Sequence, residues 1–273
     1  MAFTTPLLNP NVLPLTVATA HAAGEVLLQG WGQRPATQTK SAPTDLVTEY
    51  DKRAEEVVMK RLAADFPEHA IVGEEGSRIG PSHAKCVWYV DPLDGTMNFA
   101  HGLPFFAVSI GLVVNDAPVV GVVHAPALGW TFAGMVGGGA TRNGMPIAVS
   151  HTAALPHGLF ATGFPYVAGQ PNANMPEFAA FIHTTHGVRR VGSAALDLAF
   201  VAAGWIEGYW EAHIQSWDIA AGAALVVAAG GRVSDVDGGT FDARTGRVLA
   251  TNGLVHEQAL NLLKTVATAK QPL

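Results

Sequence analysis

The chain has 273 residues, is 49% hydrophobic and only 14% charged, and carries a net charge of −6. This length supports one large domain or two closely packed halves, and the apolar content excludes a disordered chain. The acidic balance excludes the broad basic footprint of a nucleic-acid binder; Arg189-Arg190 is the only Arg pair.

Met1 to Pro14 holds three prolines and no basic n-region, unlike a signal peptide. Residues 13–30 place apolar side chains at helical spacing and stop at Gly30-Trp31-Gly32. Residues 33–44 are polar and read as a loop. Residues 48–65 read as an amphipathic helix, with Ala54, Val57, Val58 and Leu62 on one face and Phe66-Pro67 as the stop. Ala70-Ile71-Val72 is a short strand that ends at Gly73-Glu74-Glu75-Gly76, and Cys86 to Val90 reads as a buried strand. Its cysteine is the only one in the chain, so no internal disulfide forms, which fits a reducing compartment. Strands over Phe105–Val114 and Pro118–Ala125 flank the hairpin signal Asn115-Asp116. Another strand, Gly129 to Val136, precedes a second hairpin signal, Asn143-Gly144. This first half, residues 1–150, reads as an antiparallel sheet with helices.

In residues 151–273 the pattern changes to alternating strands and helices, as in α/β units. Val188 to Val191 precedes a helix from Ser193 to Ala203, and Ile206 to Glu211 precedes a helix from Asp218 to Ala229. The apolar stretch Ile219–Gly231 is shorter than the roughly 20 residues of a membrane span. The expected fold is a layered α/β sandwich, one compact unit of an antiparallel-sheet half and a mixed α/β half. The expected protein is soluble and cytoplasmic, without membrane or nucleic-acid partners.

Glu74, Asp91, Asp94 and Asp218 each stand at a strand end or a helix start, and Asp45 precedes the second helix. If such acids converge, each like-charge pair near 4 Å costs on the order of 4 kcal/mol at moderate effective dielectric. No Lys or Arg run offsets that, so the cluster calls for divalent cations. All-oxygen ligation suits Mg²⁺, or Mn²⁺, and not Zn²⁺. In Asp91-Pro92-Leu93-Asp94-Gly95-Thr96, Pro92 cannot extend a ladder, and Gly95 lets the backbone approach a ligand. Each acid also has an ordinary structural use: Asp94 and Asp218 suit helix caps, and Asp45 suits an Asx turn. It is the joint pattern that points to a metal site.

Other signals are weaker. There is no Gly-x-Ser-x-Gly elbow, which argues against a serine hydrolase. His183 and His186 share a helix spacing but lack a His-Glu-x-x-His frame and read as surface residues. Gly137-Gly138-Gly139-Ala140 leads into a turn and not a helix, so it is no nucleotide loop, and a dinucleotide-dependent enzyme finds no fingerprint here. A binding or regulatory protein that keeps the fold without turnover is the remaining rival class.

Thr44-Asp45-Leu46-Val47-Thr48, Gly73-Glu74-Glu75, Asp91 to Thr96 with Asn98-Phe99, and Trp217 to Gly222 occur in an order that resembles the inositol monophosphatase family, within the Mg²⁺-dependent, lithium-sensitive phosphatases. The resemblance runs from about residue 13 to about residue 265. It implies metal ligation by Glu74, Asp91, Asp94, Asp218 and the Leu93 carbonyl, for two ions and a weaker third. It implies a phosphate cradle at Gly95 and Thr96. It also implies activation of water by Thr96 with Asp45, or by Glu74 acting through a metal. Gly192, Ser193, Ala194, Glu211, Asp94 and Asp218 would face the substrate, a small phosphorylated polyol or sugar such as inositol monophosphate. Met97, where many members have Thr, and the loop Ala212 to Ser216 depart from inositol-preferring members. Because the family branches share the metal site, histidinol phosphate, fructose 1,6-bisphosphate and 3′-phosphoadenosine 5′-phosphate are further candidate substrates, with Asn98-Phe99 favouring the inositol branch over the phosphoadenosine branch. The resemblance also implies a homodimer.

Overall fold

The computed structural model describes residues 9–39, 46–81, 83–164 and 174–269. In chain order the elements are α1 (Val12–Gly30), β1 (Gln38–Thr39), β2 (Leu46–Val47), α2 (Glu49–Asp65), β3 (Ala70–Gly73), β4 (Arg78–Ile79), β5 (Cys86–Asp94), α3 (Thr96–His101), β6 (Ala107–Val114), β7 (Ala117–Ala125), β8 (Trp130–Met135), β9 (Gly139–Arg142) and β10 (Met145–Ile147). Then follow β11 (Leu159–Thr162), α4 (Met175–Thr184), β12 (Gly187–Arg189), α5 (Ala194–Ala202), β13 (Gly208–Ala212), α6 (Ser216–Ala228), β14 (Arg232–Ser234), β15 (Arg247–Thr251) and α7 (His256–Ala269).

β3 to β10 form an eight-stranded sheet in the order β10-β9-β8-β7-β6-β5-β3-β4, and β11 to β15 a five-stranded sheet in the order β12-β11-β13-β15-β14. The expectation of an antiparallel first half needs one correction. β3 turns tightly into β4 on its outer side, and the chain then returns to lay β5 along the other side, so β3 and β5 run parallel. The two hairpins form as expected, with φ of 49° and 65° at Asn115 and Asp116 and 50° and 78° at Asn143 and Gly144.

Strand alternation sorts the cores into layers. Trp88, Val90, Ile110 and Leu112 pack with Leu27 of α1 and Val58 and Leu62 of α2 on one face of the large sheet. Tyr89, Val113 and Val123 point to the other face and meet α5 and α6, which Tyr209, Val248 and Ala250 of the small sheet cover from beyond. Trp210 and Leu249 face outward onto Phe181 of α4 and Leu260 of α7. The result is five layers: helices, sheet, helices, sheet, helices. No helix of the described residues is long and apolar enough to cross a membrane.

The Ala/Gly-rich character of α6 follows from its place between the two sheets. Gly111, Gly121 and Gly134 are paired in register across β6, β7 and β8, so three adjacent strands lack side chains along one line. The backbone of α6 lies against this trough. A Cβ at Gly111 would come 2.7 Å from the Ala220 carbonyl carbon, one at Gly121 2.9 Å from that of Ala221, and one at Gly134 3.2 Å from the Ala228 Cβ. α5 closes on the far side, where Leu198 reaches Gly222. Close seating of α6 sets the height of its N-terminus, which carries Asp218. Gly121→Ala should therefore destabilise the fold by about 1–3 kcal/mol through overpacking and reduce activity in the folded fraction; urea unfolding with parallel assays checks both.

Candidate active site and metal centre

Two acids three residues apart on a regular strand would face opposite sides of the sheet. Here the β5–β6 register slips: Asp91 pairs with Ser109 and Asp94 with Ala107, so Pro92 and Leu93 stand opposite Val108 alone. This bulge turns both carboxylates to the same side, and Leu93 N–H donates to Asp91 Oδ1 at 2.9 Å. Asp218 is the third residue of α6, and its Oδ2 accepts the Gln215 N–H at 2.9 Å. The start of α6 is tied to the strand opposite Asp91 by Ser109 Oγ, which donates to the Trp217 carbonyl at 3.1 Å.

Carboxylate oxygens of Asp91, Asp94 and Asp218 all lie within 4.8 Å of one another. Glu74 joins them because β3 runs parallel to β5: Gly73 sits beside Val90, and Glu74 N–H donates to the Val90 carbonyl at 3.1 Å. Burial, then the charges of Glu74 and its neighbouring acids, pushes Asp91 and Asp218 well above the usual carboxylate range. Burial raises Asp94 to about 6, opposed by donors from Ser193 and Ala195. Ser193 Oγ donates to Asp94 Oδ2 at 2.6 Å, and Ala195 N–H donates to the same oxygen at 2.7 Å.

Thr96 opens α3 directly after Gly95, whose φ is 91°. A Cβ there would lie 2.8 Å from the Phe105 carbonyl, so glycine is required. Thr96 Oγ is 3.1 Å from Asp51 Oδ1 and 3.0 Å from the Leu93 carbonyl. A hydroxyl has one proton, so donation to Asp51 leaves the Leu93 oxygen open to another partner. Asp51 is fully buried; its Oδ2 accepts the Thr48 N–H at 2.8 Å and the Thr48 hydroxyl at 2.6 Å in the capping box of α2. Asp45, the expected partner of Thr96, lies outside the described residues. Asp51 was not expected, although Thr48-Glu49-Tyr50-Asp51 has the spacing of a capping box.

The acids floor a cavity of about 450 Å³ whose far wall comes from the second half of the chain: Gly163, Phe164, Arg190, Gly192, Ser193, Ala194, Asp197, Tyr209, Glu211 and His213. Asn98 fastens that wall to the floor, its Nδ2 donating to Phe105 O at 2.7 Å and to Val191 O at 3.0 Å. The Tyr209 hydroxyl donates to Glu211 Oε2, and burial raises Glu211 to about 7. Asp197, which the sequence did not single out, is buried beside them. Its Oδ1 has no hydrogen-bond partner among the described residues, and burial holds its carboxyl well above the usual range. His183 and His186 are exposed, and His186 lies beyond α4.

Six carboxylates line the cavity, and Arg190 is the one Lys or Arg among the described lining residues. A buried all-oxygen cluster with so little counter-charge fits hard divalent cations.

Fold and site together define a layered α/β protein with an acidic centre suited to divalent cations. The chain belongs to the inositol monophosphatase family, whose model matches residues 9–269 and whose members hydrolyse phosphate monoesters. It is 45% identical to the inositol-1-monophosphatase of Synechocystis over 93% of this chain and 90% of that protein. It is 37% identical to the Nus factor SuhB of Pasteurella multocida over 94% and 97% of the two. The structure of the inositol monophosphatase from Anabaena (Nostoc) superposes with a TM-score of 0.84 at 43% identity, covering 93% of this chain and 95% of the other.

The raised Glu211 carboxyl has a consequence for stability. Below pH 4.5 both folded and unfolded chains hold its proton. Above that the unfolded chain releases it first, and the folded chain keeps it to about pH 7. Stability in EDTA should therefore fall as pH rises between these values, by up to the order of 3 kcal/mol from this group. Glu211→Gln should show a shallower decline in urea midpoint over the same window.

Proposed function

We propose that the protein is a Mg²⁺-dependent phosphomonoesterase acting on a small polyol or sugar phosphate, with inositol monophosphate the leading substrate. The convergence of Asp91, Asp94 and Asp218 within 4.8 Å, at the floor of a cavity walled by hydroxyl-binding groups, carries the reading. Glu74, Asp91, Asp94, Asp218 and the Leu93 carbonyl would hold two Mg²⁺ ions, with a weaker third near Glu74; Mn²⁺ would also suit the donor set. Bound Mg²⁺ supplies Lewis-acid stabilisation of charge on the phosphoryl and leaving oxygens.

The chain's own groups do the rest. The Gly95 and Thr96 N–H groups at the start of α3 would cradle the phosphate. Thr96, its hydroxyl proton directed to Asp51, can accept a hydrogen bond from the attacking water, and as it takes the water's proton its own would pass to Asp51. Attack would be in line, without a phosphoenzyme. Glu211, Asp94 and Asp218, with the Gly192-Ser193-Ala194 turn, would take substrate hydroxyls. We further propose that the protein works as a cytoplasmic homodimer.

The test is phosphate release from inositol 1-phosphate, histidinol phosphate, fructose 1,6-bisphosphate, 3′-phosphoadenosine 5′-phosphate and glycerol 2-phosphate, each with Mg²⁺, with EDTA, and with Mg²⁺ plus lithium. Preference for inositol 1-phosphate, abolished by EDTA and weakened by lithium, is the expected outcome. No release from any substrate would favour a second reading, a binding or regulatory protein that keeps the fold without turnover. Asp91→Asn removes a donor but almost no volume. It should lower Mg²⁺-dependent turnover by at least about 100-fold with an unchanged circular dichroism spectrum; near-normal activity would remove the metal assignment.

A further inference from the structure

We infer that Glu55 is a positioning residue for the metal-ligand loop. Through it α2 holds Glu74 in register with Thr96. The inference rests on the metal-centre reading above.

Glu55 follows Asp51 by four residues, so both acids share one face of α2. Both are buried, at 2% and 0% exposure. Each carboxylate receives groups from a different loop of the site. Asp51 takes the Thr96 hydroxyl at 3.1 Å. Glu55 takes two backbone N–H groups immediately after Glu74: Glu75 N–H donates to Oε2 at 2.8 Å, and Ser77 N–H donates to Oε1 at 3.3 Å. The strand before the loop is fitted to the same carboxylate, because a Cβ at Gly73 would come 2.6 Å from Glu55 Cδ.

Glu74 is thereby fixed on both sides. Its own N–H is held by Val90, next to Asp91, and the following N–H is held by Glu55. Hydrogen bonds from a carboxylate to backbone N–H groups are charge-assisted and directional, well suited to holding a short loop in place. A loop residue that must place its side chain against Asp91 and Asp94 despite like-charge repulsion needs such a tether. Without it the loop can relax outward, lengthening the distance that a shared cation must span. Outer groups that orient a metal ligand typically contribute 10–100-fold in metal affinity.

Substitution at Glu55 should therefore weaken metal binding more than it slows chemistry at saturating metal. The test uses the full-length chain, with Mn²⁺ binding followed by calorimetry and Mg²⁺ dependence of turnover measured in parallel. Glu55→Gln keeps one acceptor and turns an amide donor toward the other N–H; Glu55→Ala removes both acceptors. The expected result is graded: the Mn²⁺ dissociation constant and the half-saturating Mg²⁺ concentration rise about 3- to 10-fold in Gln and about 10- to 100-fold in Ala. At saturating metal, kcat should return to within about threefold of wild type. Should the alanine variant misfold, the glutamine variant decides the matter alone. A lower melting temperature with unchanged metal dependence in the folded glutamine variant would overturn the inference and leave Glu55 a structural brace. If wild type itself binds no Mn²⁺ and ignores Mg²⁺, the metal-centre reading fails first, and the inference falls with it; wild-type binding with unaltered Glu55 variants sinks the inference only.

Discussion

Mutual repulsion of buried carboxylates is the constraint around which this protein is built. Asp91, Asp94 and Asp218 bring oxygens within 4.8 Å of one another, Glu74 adds a fourth charge, and Arg190 is the lone Lys or Arg in the described cavity wall. Left alone, the cluster would take up protons, as the raised carboxyls of Asp91, Asp94 and Asp218 indicate. Holding it together in a form that a divalent ion can neutralise requires rigid supports from several directions.

Those supports come from the large sheet and from α6. A bulge re-aims Asp94, the parallel strand brings up Glu74, and a helix laid in a glycine trough delivers Asp218. The chemistry-bearing floor thus belongs to the large sheet and α6, while most of the opposite wall comes from β11, β13, the start of α5 and the loops beside them. Asn98 joins the two through backbone carbonyls and Ser193 through its hydroxyl on Asp94, so wall side chains other than Ser193 can differ without disturbing the joint.

Much of this was legible in the chain. Helical periodicity located α1 and α2, Asn-Asp and Asn-Gly located the hairpins, and the Asp-Pro-Leu-Asp-Gly-Thr run pointed to the cluster. Other features could not be read from local pattern. The parallel pairing of β3 and β5 depends on the return path of the chain, which no strand-level alternation records. Convergence of Asp91 and Asp94 depends on a register slip against β6, a property of two strands. Asp51 occupies a helix-cap position; only the tertiary approach of Thr96 gives its second oxygen another use. Asp197 sat inside an apolar helix pattern, where a single acid carries little signal. β14, β15 and α7 lay beyond the segments whose pattern was distinctive.

The glycine trough also shapes how the protein can change over time. Gly111, Gly121 and Gly134 line none of the described cavity, yet the position of one of the clustered carboxylates is set by the absence of three methyl groups beneath α6. In a mutational scan they would stand out as intolerant sites remote from the reacting groups. Drift toward new substrates is consequently channelled into the wall and away from the sheet interior, where the smallest possible enlargement already pushes a helix.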